Sequence, residues 1–142
     1  QYAHSEGDVI VWIPQKKLVI TGDIVVGPTP YETQPNEFGM MEALQQVIDM
    51  NPSIIIPGHG AVQYDLTYTK LVKEAYASYI REAEKAVKNN IPLKEAVAWI
   101  KLDNLDYKFT HGDDLKKWTF RSLFKGRVVY ETYKRLNAVP EK

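Results

Sequence analysis

Ser53-Ile54-Ile55-Ile56-Pro57-Gly58-His59-Gly60 decides how the rest of the chain is read. Three consecutive isoleucines show no polar alternation. A strand over residues 53–56 is therefore covered on both faces, as in α/β sheets, rather than wet on one side. Pro57 has no N–H to continue a ladder, and glycine accepts the tight backbone that follows, so the strand ends in a turn carrying one imidazole, His59.

Upstream, Phe38, Met41, Leu44, Val47 and Ile48 recur at helical spacing behind Asn36, a good N-cap, and Asn51-Pro52 stops the run. This predicts an amphipathic helix over residues 37–50. Further upstream, residues 8–14 (DVIVWIP) and 17–21 (KLVIT) are short, β-branched and apolar. They read as two strands of a hairpin joined by the polar turn Gln15-Lys16-Lys17, the second ending at Gly22-Asp23. Residues 24–26 continue apolar, and residues 27–35 hold three prolines and read as an irregular loop. Strand, helix and fully apolar strand in that order predict an α/β fold in layers, with helices covering a sheet.

Downstream, the chain reads as helix. Asp65 or Thr67 caps a long segment to about residue 88, with Leu71, Val72, Ala75, Tyr79, Ile80, Ala83 and Val87 on one face. Asn89-Asn90 breaks it. Pro92 starts a shorter helix to about residue 102, and Asp113-Asp114 opens the last one, with Gly126 expected to interrupt or bend it near its middle. Trp99, Trp118, Phe120 and Phe124 are expected in the helix-packing core.

The chain has 142 residues, 18 Lys plus Arg against 18 Asp plus Glu, and no cysteine. The balanced charge gives no electrostatic reason to expect nucleic acid or an anionic membrane as partner. No apolar run approaches the roughly 20 residues of a membrane span. Disulfides, thiolate ligands and a cysteine nucleophile are excluded. The start at Gln1, close to a strong motif, reads as a piece of a longer protein, so a leader on the parent would not be visible and the compartment stays undecided.

Three short motifs fall at the expected strand ends: His4-Ser5-Glu6-Gly7-Asp8, Thr21-Gly22-Asp23 and Pro57-Gly58-His59-Gly60. Each puts one metal-capable side chain on a glycine-containing turn, where a rigid strand end can aim it. Imidazole and carboxylate suit zinc or iron, and a carboxylate can bridge two ions. Singly, each motif is a turn or a structural histidine. Together, in this order and with a helix between the second and third, they resemble the second half of the metallo-β-lactamase superfamily, strongly over residues 4–62 and loosely beyond.

The resemblance implies one αβ half of a four-layer αβ/βα sandwich, with residues 1–63 as the C-terminal half of the core and 64–142 as a helical part of the same domain. It implies that His4 binds a first metal ion, His59 a second, and that Asp23 bridges them and serves in catalysis. The implied activity is a dinuclear hydrolase, with zinc expected and iron or manganese possible, that activates a bridging water against an ester, thioester, lactone or lactam. The family's H-x-H-x-D-H motif is absent, because His4, His59 and His111 are the only histidines. Neither metal site can then be completed by this chain, for which no hydrolase activity is expected alone. Two other readings are a non-catalytic structural or interaction half, and a redox di-iron protein on the same fold.

Tyr31, just after Asp23, and His111, in a polar loop between helices, are weaker candidates for contact with a small-molecule substrate. The expected partner is a separate N-terminal half or a second copy, because Val9, Val11, Ile13, Val19, Ile54 and Ile56 would otherwise contribute to an exposed apolar patch.

Overall fold

The computed structural model describes residues 2–31 and 36–137. The chain is α/β. A three-stranded sheet in the order β1-β2-β3 is built from β1 (Val11–Ile13), β2 (Leu18–Val26) and β3 (Ile54–His59). β1 runs antiparallel to β2, and β3 runs parallel to it. The parallel pair requires a crossover, supplied by α1 (Glu37–Asp49). Asn36 caps α1 by accepting a hydrogen bond from the Gly39 N–H at 3.2 Å. A 3-10 turn, Pro14–Lys16, followed by Lys17 in left-handed backbone, joins β1 to β2.

The register sorts the side chains into two faces, because successive residues of a strand point to opposite sides. Trp12, Val19 and Ile55 form one row across the sheet. Val19 and Ile55 are fully buried there against Val47 of α1. Val11, Ile20 and Ile56 form the next row on the opposite face, with Ile13, Leu18 and Ile54 beside it. Among the described residues, none of these six belongs to either core cluster: Val11 and Ile20 are exposed and the other four are part-buried. Of the set expected to be exposed, Val9 and Val11 are exposed, Ile13, Ile54 and Ile56 are part-buried, and Val19 is buried, which is a correction. Val19 points inward, and Ile20 (38% exposed) takes its place.

Behind the covered face lie α2 (Thr67–Lys88), α3 (Leu93–Trp99), α4 (Asp103–Thr110), α5 (Asp114–Thr119), a π-helical turn (Phe120–Lys125) and α6 (Gly126–Asn137). The main core joins Ile24 and Val25 of β2 to Met40 and Leu44 of α1 and to Tyr76, Tyr79, Phe109, Phe120 and Phe124. Phe109 and Phe120 stack at 4.9 Å between ring centroids, and Tyr76 meets Phe124 edge-on at 4.8 Å.

Several boundaries differ from the sequence expectation. β2 does not end at Gly22-Asp23: it passes through an irregular stretch, with shifts of register on either side of Gly22, and continues to Val26. β3 likewise includes Pro57, Gly58 and His59, because β2 still offers it an edge. β1 is shorter than residues 8–14. Residues 103–110, between the helices expected from sequence, form α4, which buries Leu105, Phe109 and Thr110 and leaves Tyr107 exposed. Trp99 and Trp118 are exposed at 40% and 60%, so only Phe120 and Phe124 of that expected stripe are core. The interruption expected at Gly126 is present, as the π-helical turn passes there into α6. Gly126 has ordinary helical angles and donates its N–H to the Arg121 carbonyl, closing the π-turn. The proline-rich loop is described as far as Tyr31. Residues 32–35 of that loop, and 138–142 of the helical part, lie outside the described residues.

Candidate functional site

The site begins with a turn built around Asp8. Its Oδ2 accepts hydrogen bonds from the backbone N–H groups of Ala3, His4 and Ser5 at 3.2, 2.7 and 3.0 Å, and its Oδ1 accepts from the Ser5 hydroxyl at 2.8 Å. Partial burial works to raise the Asp8 carboxyl. The hydrogen bonds from Ser5, His4 and Ala3 outweigh it and hold the group below its usual value. The turn is then fastened to α1: the Asn36 side-chain amide donates to the Tyr2 carbonyl. Gly39 lies under the same carbonyl, where a β-carbon would stand 1.9 Å from the Tyr2 oxygen. These contacts fix the backbone of His4, whose side chain is buried.

Asp23 comes from the irregular middle of β2, directly beside Gly58 of β3. The register pairs Gly22 with Pro57, and a β-carbon on Gly58 would stand 2.0 Å from Asp23 Oδ1. His59 is the last residue of β3. The Gly27 N–H donates to its carbonyl at 3.0 Å, and the adjacent Val26 carbonyl accepts from the Tyr68 hydroxyl at 2.6 Å. Gly60, at φ +94, turns the chain where a β-carbon would press on the Gly27 backbone.

Three segments distant in sequence thus meet. His4 Nε2 lies 3.7 Å from Asp23 Oδ2, and His59 Nε2 lies 3.5 Å from Asp23 Oδ1. Tyr31 joins them: its ring meets His4 and His59 edge-on at 6.0 and 5.9 Å between centroids. The Tyr31 hydroxyl is pushed above its usual pKa, by partial burial first and then by the charge and hydrogen bonding of Asp23. His4 is covered, Asp23 is half-buried and His59 is exposed, so the cluster opens to solvent on the His59 side. His111 does not join it. It ends α4 in left-handed backbone and packs edge-on against Tyr107 at 5.9 Å.

The donor set can be tested against a metal ion by its spacing. Charge-assisted hydrogen bonds of nitrogen to carboxylate run at about 2.7–2.9 Å, and both contacts here are longer. Two ligand atoms each ~2.1 Å from one tetrahedral zinc stand roughly 3.4 Å apart, close to both observed separations. The imidazoles lie on different oxygens of the carboxylate. Among the described residues no three His, Cys, Asp or Glu side chains close on one point as a single ion would need. Each histidine is thus paired with a different oxygen of the one carboxylate. A cleft of about 460 Å³ between the Asp8 turn, β2 and α1 is lined by Tyr2, Ser5, Glu6 and Ile24, and by none of the four clustered side chains.

Asp8, Asn36, Gly39 and Gly58 are positioning residues that the sequence reading did not single out for the site. Ser5 and Asp8 at a separation of three are a turn-capping pattern, which was the available signal for the first. No protein-family model matches the chain, and no curated protein matches it.

Proposed function

We propose that the chain supplies part of a dinuclear metal centre in a hydrolase of the metallo-β-lactamase type. His4 and His59 would each hold one divalent ion, zinc by its donor preferences, and Asp23 would bridge the pair. The observation that carries this reading is the placement of one imidazole Nε2 at each oxygen of the Asp23 carboxylate, at tetrahedral-edge spacing. When bound, such ions would supply Lewis acidity toward a carbonyl or phosphoryl oxygen and would acidify water. The chain's own residues orient the centre: Asp8 holds the His4 turn, Gly58 leaves room for the Asp23 carboxylate, and Tyr31 packs between the two imidazoles with its hydroxyl at Asp23.

Three ligands divided between two ions leave each short, since catalytic zinc takes three protein ligands plus water. The remaining ligands would come from a complementary half bearing H-x-H-x-D-H. The uncovered face of the sheet supports such a partner. Val11 and Ile20 are exposed there and four further apolar side chains are only part-buried, so covering the face would gain a few kcal/mol, on the order of 1 kcal/mol per side chain still partly in water.

Calorimetric titration of Zn²⁺ into the chain tests the centre. The expected affinity is micromolar or weaker, as an order of magnitude from the ligand count. Asp23→Ala should abolish binding, and His4→Ala or His59→Ala should each weaken it about tenfold or more. Zinc binding unchanged in Asp23→Ala would remove the reading.

A further inference from the structure

The helical half holds a cavity far in sequence from the His4–Asp23–His59 cluster. The cavity, of about 300 Å³, is lined by Lys101, Asp103, Asp106, Lys117, Arg121 and Lys125, with Val97, Ala98, Thr110 and Phe120 completing the wall. Its volume is at the lower end of the range for small-molecule pockets. Four cations face two carboxylates. Two of the cations already have carboxylate neighbours: Lys117 pairs with Asp114 at 2.9 Å, and Lys125 lies 3.7 Å from Asp106.

Lys125 is the unusual member. It is buried, and it sits on the π-helical turn that also carries Phe120 and Arg121. Such turns widen a helix locally and recur at functional sites. The Lys125 ammonium donates to the Ile100 carbonyl at 3.0 Å and lies 5.3 Å from the centre of the Tyr79 ring. Its Asp106 contact, at 3.7 Å, is electrostatic and too long for a hydrogen bond. Asp106 is itself engaged by the Tyr79 hydroxyl. An ammonium has three donors, so donor capacity is left for an incoming acceptor. Burial holds the Lys125 pKa below its usual value. Asp106 and Asp103 oppose that shift, while Lys101 and Arg121 add to it. With Lys117 engaged by Asp114, the wall still carries three cations, Lys101, Arg121 and Lys125, against two carboxylates, a net positive charge that an anion would relieve.

We propose that this cavity binds a small phosphate-type anion, with Lys125 at its floor and the exposed Lys101 and Arg121 at its mouth. The planar fork of Arg121 suits two oxygens of one phosphate, and Lys125 supplies a point charge with a free donor. Asp103 and Asp106 flank the anion and set a limit on how deep its charge can sit.

The experiment uses the full chain stripped of metal with a chelator, at constant ionic strength set with sodium chloride. Inorganic phosphate and glycerol phosphate are titrated separately and followed by amide chemical shifts. Saturable shifts confined to residues 97–106 and 117–126 are expected. Tighter binding of one ligand identifies free phosphate or an organic monoester as the natural source. Arg121→Gln and Lys101→Gln, both exposed positions, should each weaken binding about tenfold, as loss of a hydrogen bond to a charged group implies. Lys16→Gln, on the turn between β1 and β2, should leave it unchanged. Shifts scattered over surface lysines, an unaltered affinity in Arg121→Gln, or an equal loss in Lys16→Gln would overturn the site. The readout needs neither metal nor hydrolysis, so it stands apart from the His4–Asp23–His59 centre.

Discussion

Gly58 lies so close beneath Asp23 that a β-carbon on it would stand 2.0 Å from the carboxylate Oδ1. That atom is not the far end of a long flexible chain, and the Asp23 backbone N is 2.9 Å away. Gly58→Ala must therefore rotate the carboxylate away from His59 or part β2 from β3. We expect a loss of about 1–3 kcal/mol, the usual cost of overpacking, together with loss of zinc binding. Gly7→Ala, where nothing lies within 4 Å, should change stability by no more than about 0.5 kcal/mol. Urea denaturation of both variants checks the contrast.

Asp8 satisfies three backbone N–H groups with one carboxylate oxygen. Asp8→Ala should cost about 2–3 kcal/mol and weaken zinc binding although Asp8 is not itself a ligand, because the segment holding His4 loses its anchor. Asp8→Asn keeps one acceptor oxygen and should lose less of both. Equal metal affinity in wild type and Asp8→Ala would show that His4 is held by its other contacts alone.

The two sheet faces predict opposite outcomes for neighbouring residues. Val19 is fully buried and Ile20 is 38% exposed. Val19→Asp should prevent folding, since it buries an unpaired charge. Ile20→Asp should fold, and should reduce the self-association expected of the uncovered face. Sedimentation velocity across a concentration series measures it. A wild-type chain that stays monomeric at high concentration would contradict the expectation.

Stability should fall steeply above pH ~10. Burial pushes the hydroxyl of Tyr68 well above its usual pKa; burial and then Asp106 do the same for Tyr79. Below pH ~10 both stay protonated whether the chain is folded or not. Above it the unfolded chain releases those protons and the folded one does not, so each tyrosine removes up to about 1.4 kcal/mol per pH unit. Lys125, whose pKa is lowered by burial, acts in the opposite sense between its folded value and ~10.5. Tyr68→Phe should flatten the alkaline limb by one proton's slope in chemical denaturation run from pH 9 to 11.

What the sequence carried was periodicity and the identity of special residues. Ile54, Ile55 and Ile56 announced a doubly apolar strand, and Asn36 announced the start of α1, because both signals are local. The limits of β2 were not legible, since Gly22 and Asp23 look like a turn until β3 supplies the neighbouring edge. The face occupied by Val19 or Ile20 depends on register, which a run of apolar residues does not encode. Trp99 and Trp118 show the same limit: large rings suggest a core, but which side of a short helix meets its neighbours is fixed by tertiary packing. His4, Asp23 and His59 stood out through their glycine-flanked motifs, whereas Asp8 and Gly58 act through contacts visible only once the segments meet.

The three clustered side chains belong to segments separated by about 20 and about 35 residues. Closing loops of that size in a free chain costs entropy that grows with the logarithm of their length. An ion joining His4 to Asp23, and Asp23 to His59, would act as a pair of reversible cross-links in a chain that has no cysteine to make permanent ones. Loading and unloading metal would then change which parts of the backbone open independently. Slowed amide exchange should extend from the turn around Asp8 to the far end of β3, well beyond the residues that touch the ion.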